Sequence, residues 1–296
     1  LRRTRSGSAL RQLYRTAAAG CGGAQTGRDA GNPDGFRFRS SPGPFQRTQA
    51  ETRCGKAGDP GPCRAGRGHD ARSAHADFGA SSTAAAQERM TTEALRDIGL
   101  GVSRETLDRL EHYAALIQRW TPRVNLVAAS TLDSLWTRHI LDSAQIFPLA
   151  PPTARTWADL GSGAGLPGIV MAILAAEKRP ALSVHLVESD RRKAVFLRTA
   201  IRETGINASV HVARAETLGP LHADVVSARA LAPLDTLLDL AERHLAPEGV
   251  ALFPKGANWR SEVDTALARR RFRCEDVPSV TAPDAVILKI GDIARA

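Results

Sequence analysis

Cysteine, aromatic residues and long apolar runs are all scarce in this chain. Of 296 residues, four are cysteine and 5% are aromatic. Cys21, Cys54 and Cys63 lie in a glycine- and arginine-rich stretch without paired metal-ligand spacing, and Cys274 stands alone in the remainder. A disulfide framework and a structural zinc site are thereby excluded, no metal is expected, and a reducing cytoplasm fits. No segment reaches the ~18 apolar residues that read as a membrane span, so no membrane partner is expected.

Acidic residues are scarce at one end only. Residues 1–89 hold 15 Lys+Arg against 7 Asp+Glu, whereas residues 90–296 hold 25 against 24, so +8 of the formal +9 belongs to the first segment. That segment also carries 14 of the 25 glycines, and its run 55–68 has no aliphatic side chain beyond alanine. Such a stretch buries too little apolar surface to offset its ordering entropy, and residues 1–89 are expected to be a disordered, low-complexity extension. A basic Arg/Gly tail is able to bind RNA. Unstructured or spuriously translated sequence is the plainer reading, with no Met at position 1 and Met90 just ahead of the first periodic segment. Arg2, Arg3, Arg5, Arg11 and Arg15 resemble a transit peptide in composition, but no apolar stripe follows them.

The remainder is patterned. Leu107, Leu110, Tyr113, Ile117 and Trp120 recur at helical spacing behind Ser103, a natural cap. A second helix is predicted from a Thr131 cap, with stripe Leu132, Leu135, Trp136, Ile140 and Phe147, ending at Pro148. Residues 90–152 thus read as a small helical region ahead of a main domain at 153–296. There, apolar runs at 156–160, 183–187, 209–213, 224–227, 250–253 and 285–290 alternate with helical stretches at 168–177, 191–203, 234–244 and 259–271. This pattern predicts a doubly wound α/β sheet, whose ligands bind beyond the carboxyl ends of the strands.

Directly after the first of these strands comes Gly161-Ser162-Gly163-Ala164-Gly165-Leu166-Pro167-Gly168. Glycines let backbone turn sharply and approach a ligand, while the following helix aims its first amides at it. Nicotinamide and flavin enzymes carry a similar fingerprint, so the loop alone does not choose a cofactor. Its neighbours do. Asp159 stands two residues before the first glycine, where it either organises the loop for a methionine-type ligand or only caps loop amides. Glu188 ends the second strand, where a carboxylate is able to accept both ribose hydroxyls. Ala215 and Glu216 follow the third, where an adenine edge would lie. The combination points to S-adenosylmethionine.

The runs DLGSGAGLPG, LVESDRRKAVFL from Leu186, RAE at 214–216, SARAL at 227–231 and PKG at 254–256 together resemble the RsmG (GidB) family. Asn125-Leu126 and RHILDS at 138–143 resemble its helical region, so the resemblance covers residues 90–296. It implies a class I S-adenosylmethionine-dependent methyltransferase with a Rossmann-like sheet, acting in the cytoplasm on N7 of guanine 527, in the usual count, of bacterial 16S rRNA. The RNA itself or the small ribosomal subunit would be its partner, and a monomer is expected. Carried over by motif, the cofactor contacts are Gly161, Leu166, Ala215 with Glu216, and Arg229; the residues themselves add Gly163, Gly165 and Glu188. Where the family often has two lysines after the second-strand acid, this chain has Arg191, Arg192 and Lys193.

The acceptor chemistry agrees. Methylating C5 of a pyrimidine needs a cysteine nucleophile, and Cys274 lies far along the chain from the fourth-strand loop. Methylating an exocyclic amine commonly uses an Asn/Asp-Pro-Pro-aromatic loop, where this sequence reads Ser227-Ala228-Arg229-Ala230. Guanine N7 exposes a lone pair and has no proton to lose, so alignment matters more than a base. No general acid or base is therefore assigned, and Arg229 is given a positioning role. His139, Asp142 and Ser143 share a helix face, as a polar wall of the site or as a buried packing cluster. Arg138, His139 and Lys255 are candidate RNA contacts, with ordinary surface charge as the alternative for Arg138 and Lys255. Clusters at Arg191–Lys193, Arg269–Arg273 and Arg119, Arg123 and Arg138 are the candidate sources of positive field. Rival readings are a methyltransferase for another RNA site or a small molecule, a nicotinamide-dependent oxidoreductase, and a noncatalytic RNA-binding protein.

Overall fold

The computed structural model describes residues 91–295; the expectations for residues 1–89 lie outside it. After a short helix at 91–97, helix α1 spans Arg104–Val124. Ser103 caps it, its hydroxyl accepting from Thr106 N, and Asn125 ends it in the left-handed conformation at φ 51. The predicted stripe is the buried one, with Leu107, Leu110, Tyr113 and Ile117 all facing inward. Glu177, near the end of the helix Gly168–Lys178, holds the capped end, accepting from Ser103 N at 2.9 Å and from Thr106 Oγ1 at 2.6 Å.

The predicted second helix is broken. A 3-10 turn Ala129–Ser134, a π-helical turn Trp136–Leu141, one α turn Asp142–Ala144 and a 3-10 turn Phe147–Leu149 replace it. Thr131 does not cap; its hydroxyl donates to Ala128 O at 2.7 Å and meets His139 Nε2 at 2.8 Å. A π turn inserts an extra residue into the ladder and re-aims side chains, a device common at functional sites. Here it separates the three polar residues expected on one face. His139 and Asp142 line a cleft, whereas Ser143 is fully buried with its hydroxyl unpartnered.

Seven strands follow: β1 Thr156–Leu160, β2 Ser183–Val187, β3 Ala208–His211, β4 Ala223–Ser227, β5 Leu245–Lys255, β6 Arg270–Pro278 and β7 Val286–Arg295. They form one sheet in the order β3-β2-β1-β4-β5-β7-β6. Strands β1 to β5 are parallel neighbours, and β7 runs antiparallel to both β5 and β6. The helices between them are α2 Gly168–Lys178, α3 Arg191–Thr204, α4 Leu234–His244 and α5 Trp259–Leu267. This is a doubly wound, Rossmann-like α/β sheet, as expected from the strand and helix alternation.

One helix end and one strand depart from that expectation. The last helix stops at Leu267 instead of 271, and Arg270–Pro278 is a strand that hydrophobic alternation does not reveal. The reason is chemical. Arg270 and Phe272 point inward while Arg271 and Arg273 point out, so one of the two inward positions is an arginine. Arg270 is only 7% exposed and pairs with Asp235, Asp239 and Glu242. Burial of such a charge is tolerable only where partners surround it. Hydrophobic layers cover both sheet faces. Leu110, Tyr113, Ile169, Ile173 and Phe196 pack on one, and Leu234, Leu237, Leu238, Phe253 and Trp259 on the other.

Candidate active-site cleft

The switch point of the sheet lies between β1, which turns toward β2, and β4. At this place β1 ends in Asp159-Leu160 and passes into the glycine loop. Gly161, Gly163 and Gly165 have φ of 63, 56 and 85, a region costly for residues with a Cβ. A Cβ on Gly161 would also meet Leu231 Cδ1 at 2.5 Å, and one on Gly165 would meet Ile169 Cγ1 at 2.3 Å. Gly163 differs: its nearest atom would be Gly161 O at 3.8 Å, so the loop faces open space there.

Every part of this loop is held. Gly163 N donates to Glu188 Oε2 at 2.8 Å, and Asp190 N donates to Glu188 Oε1 at 2.7 Å. Glu188 therefore ties the end of β2 to the loop and keeps a spare lone pair on each oxygen. Tyr113, on α1, donates its hydroxyl to Ala164 O at 2.6 Å; burial pushes this phenol well above its usual range, so it remains a donor. Leu166, 5% exposed, precedes a cis peptide to Pro167 and lines the cleft.

Asp159 is fully buried beneath the loop. Its Oδ2 accepts from Gly168 N at 3.1 Å and its Oδ1 from Ser227 Oγ at 2.8 Å. Trp157 Nε1 fills the acceptor side of that same hydroxyl at 2.8 Å. Burial raises the Asp159 carboxyl to about 6, against the lowering effect of these hydrogen bonds and of Arg229. Asp159 thus braces the first amide of α2 as well as the end of β4, two residues before Arg229.

Arg229 and the π turn face one another. Its Nη1 lies 3.2 Å from Asp142 Oδ2 and 3.3 Å from Arg138 O, and its Nη2 lies 3.0 Å from His139 Nδ1. A guanidinium only donates, so His139 Nδ1 accepts and its proton sits on Nε2, toward Thr131. Burial first and the neighbouring Arg229 second lower His139 to about 4, which keeps it neutral near pH 7. The next residue, Ala230, adopts φ 52, and Leu231 packs over Gly161.

Around these groups runs a cleft of about 1560 Å³. Its wall starts at Gly161–Ala164, passes Arg138, His139 and Arg229, and continues across Lys255 and Asn258 to Ser279 and Thr281. Glu188 lies under the loop, and Ala215 and Glu216 lie on the turn after β3, with Ala215 buried and Glu216 exposed. That turn is fixed from behind by buried His244, whose Nε2 meets Ala215 O at 2.8 Å. Lys255 lines the cleft yet is not a free cation. Its ammonium donates to Ala232 O at 3.0 Å and pairs with Glu262 at 2.7 Å, with 9% of its side chain exposed. Most of the Arg269–Arg273 run is paired as well: Arg269 and Arg270 bind Asp235, and Arg273 binds Asp292, while Arg271 is exposed. Arg119, Arg123 and Arg138 are exposed, and Lys193 lines the cleft.

Sequence reasoning missed Tyr113, Gln145, Ser227 and His244. Each acts on a residue far along the chain, so the only legible hint was a polar tip within an apolar stripe or strand. Among the described residues no group of three or more His, Cys, Asp or Glu stands ready to hold a metal ion, and no helix is long and apolar enough to cross a membrane.

A family model described as rRNA small subunit methyltransferase G (GidB) matches residues 106–285. The ribosomal RNA small subunit methyltransferase G of Ruegeria sp. (strain TM1040) is 54% identical over 199 residues, which are 67% of this chain and 97% of that protein. The protein of the same name from Rhizobium meliloti (strain 1021) is 49% identical over 210 residues, 69% of this chain and 96% of its own. Among solved structures, a methyltransferase from Geobacter sulfurreducens gives a TM-score of 0.42 at 19% identity, over 60% of this chain and 86% of the other. Matched by the family model over 106–285 and covering 97% of a 54% identical relative, the chain belongs to the rRNA small subunit methyltransferase G family.

Proposed function

We propose that this protein transfers the methyl group of S-adenosylmethionine to N7 of guanine 527 of 16S rRNA, in the cytoplasm. The observation that carries the cofactor is the glycine loop held by Glu188 through Gly163 N at 2.8 Å. The loop turns back over open space at Gly163, a cradle that any Cβ would strain, and the remaining acceptor sites of Glu188 suit a ribose diol. Gly161, Gly163, Gly165 and Leu166 would hold the methionine side, Glu188 the ribose, and Ala215 with Glu216 the adenine edge. The sulfonium supplies an electrophilic methyl when the cofactor is bound.

The protein's own residues then have one task, to align. Arg229 is locked by Asp142, His139 and Arg138 O, so its guanidinium is preorganised and costs little to hold in place during transfer. The N7 lone pair would take the methyl as the S–CH3 bond breaks to leave a neutral thioether, with no proton to lose. Neutral His139, whose Nδ1 already accepts from Arg229, is suited to a wall and unsuited to a base, which agrees with a reaction that needs none. Arg138 and His139 at the cleft rim would meet the RNA. The names of the relatives support the small-subunit rRNA as the substrate; the family resemblance supports the guanine position.

Two titrations and one transfer assay test this reading. Calorimetry should show S-adenosylmethionine binding and no binding of a nicotinamide dinucleotide. Methyl-labelled cofactor should place label in 16S rRNA and not in 23S rRNA or in small molecules. Binding of the dinucleotide, or label on another acceptor, would replace the proposal with one of its rivals.

A further inference from the structure

We propose that Gln145 is a positioning residue for the RNA substrate, fixing the segment 279–285 as the far wall of the cleft and presenting Val280 to a base beside the target guanine. The inference rests on the function proposed above and adds the substrate-side machinery to it.

Gln145 follows the π turn and its single α turn and is 6% exposed. Its Oε1 accepts from Val280 N at 2.9 Å. Because an N–H can only donate, the amide orientation is settled, and Nε2 faces the acceptors on the other side. These are Ser279 Oγ at 3.1 Å, Thr281 Oγ1 at 3.4 Å, Asp142 O at 3.1 Å and Asp142 Oδ1 at 3.0 Å. Thr281 Oγ1 also donates to Asp142 Oδ1 at 2.6 Å. One nearly buried amide thus grips three successive residues of a connection that lies 134 to 136 positions away in sequence. Asp142 spans the two sides, since its Oδ2 holds Arg229.

The place of this wall identifies what it faces. The glycine loop, Glu188 and Ala215–Glu216 follow β1, β2 and β3, on one half of the sheet. The segment 279–285 joins β6 to β7, on the other half. A cleft of about 1560 Å³ exceeds the roughly 300–1,000 Å³ of a site for one small ligand, which leaves room for a nucleoside on that second half. Between Ser279 and Thr281, which line the cleft, Val280 is 60% exposed and lies just outside the cleft lining, toward flanking RNA, although its backbone N–H is pinned. An apolar side chain held outward on an ordered, polar rim offers van der Waals contact to the face of an unstacked base, as apolar side chains do around an extruded base.

The test compares the full chain with Gln145→Ala, Gln145→Glu, Val280→Ser and Gln145→Ala/Val280→Ser. Readouts are KM and kcat with 16S rRNA, affinity for that RNA by fluorescence anisotropy, and calorimetric affinity for S-adenosylmethionine. Gln145→Ala should raise the RNA KM about tenfold, on the scale of lost hydrogen bonds, with cofactor affinity within about twofold. Gln145→Glu should do the same, because a carboxylate has no N–H for Ser279 and Thr281. Val280→Ser should raise the RNA KM about threefold in the parent and have no further effect once Gln145 is gone, since the tip is then no longer presented.

Unchanged RNA KM in folded Gln145→Ala, equal loss of cofactor affinity, or full additivity of the double variant each overturns the proposal. If Gln145→Ala does not fold, Thr281→Val, which removes one contact of the same segment, must raise the RNA KM or the proposal fails. Wild-type protein that binds 16S rRNA without methylating it would overturn the functional reading alone, and RNA affinity would still decide the role of Gln145. Wild-type protein that binds no 16S rRNA overturns both.

Discussion

Ser227 Oγ donates to Asp159 Oδ1 at 2.8 Å across the β1–β4 boundary, while Trp157 Nε1 fills the acceptor side of the same hydroxyl. A serine with both roles taken cannot be replaced without orphaning two buried groups. Ser227→Ala should therefore destabilise the protein by about 1–3 kcal/mol for each group left unpaired. Urea denaturation measures this directly, and a loss below about 0.5 kcal/mol would mean that the contact is dispensable.

The same carboxyl gives the fold a pH signature. Asp159 is raised to about 6 from an ordinary 3.8, so the folded state holds its proton more tightly than the unfolded state. Its contribution is fully present below about pH 4 and is lost as pH rises through about 6, by up to about 3 kcal/mol. The stability of the wild type relative to Asp159→Asn should fall across that window, as read by denaturation at several pH values. A flat or rising difference would show that Asp159 ionises as an ordinary carboxyl.

Two glycines only two residues apart should resist alanine for different reasons. At Gly161 the added Cβ meets Leu231 Cδ1 at 2.5 Å as well as an unfavourable φ, whereas at Gly163 it carries the conformational cost and enters the open space of the proposed cofactor cradle. That cost is about 1–2 kcal/mol. Gly161→Ala and Gly163→Ala should each weaken cofactor binding by more than tenfold as read by calorimetry, but a Leu231→Ala background should relieve only the first. Relief of both or of neither would show that the loop is set elsewhere.

How much of this was legible in the sequence follows from which interactions are local. The glycine loop, its acid Asp159 and the strand-end residues Glu188, Ala215 and Glu216 are spelled by neighbours in the chain, and the strands announce themselves by apolar runs. The π turn was illegible, because a one-residue insertion leaves the apolar stripe intact while it turns Ser143 away from His139 and Asp142. Strand β6 was hidden by the inward Arg270, whose partners Asp235, Asp239 and Glu242 lie on α4. Lys255 read as a free cation because nothing in its surroundings discloses that Glu262, one helix later, would claim it.

Under the proposed function, Arg229 carries the positioning role. Arg229→Ala should lower the single-turnover rate of methyl transfer about a hundredfold with the fold intact, and Arg229→Lys should restore only part, since an ammonium lacks the planar fork. His139 adds a pH term of opposite sign to that of Asp159. Held down to about 4, it stays neutral in the folded protein while the unfolded chain takes up a proton near 6.5. Its contribution is present above that value and is lost as pH falls toward 4. Nuclear magnetic resonance titration of the His139 ring should find no protonation above pH 5; a midpoint near 6.5 would break the assignment of Nδ1 as an acceptor from Arg229.

The acceptor atom is read by mapping methylation in 16S rRNA after incubation with S-adenosylmethionine and either the wild-type protein or Gly161→Ala. Mass spectrometry with primer extension should locate one N7-methylguanine, at guanine 527, formed with the wild type and greatly reduced with the variant. Methylation at a different nucleotide or a different atom, or none at all from protein that binds the cofactor, would rule out N7 of guanine 527 as the acceptor.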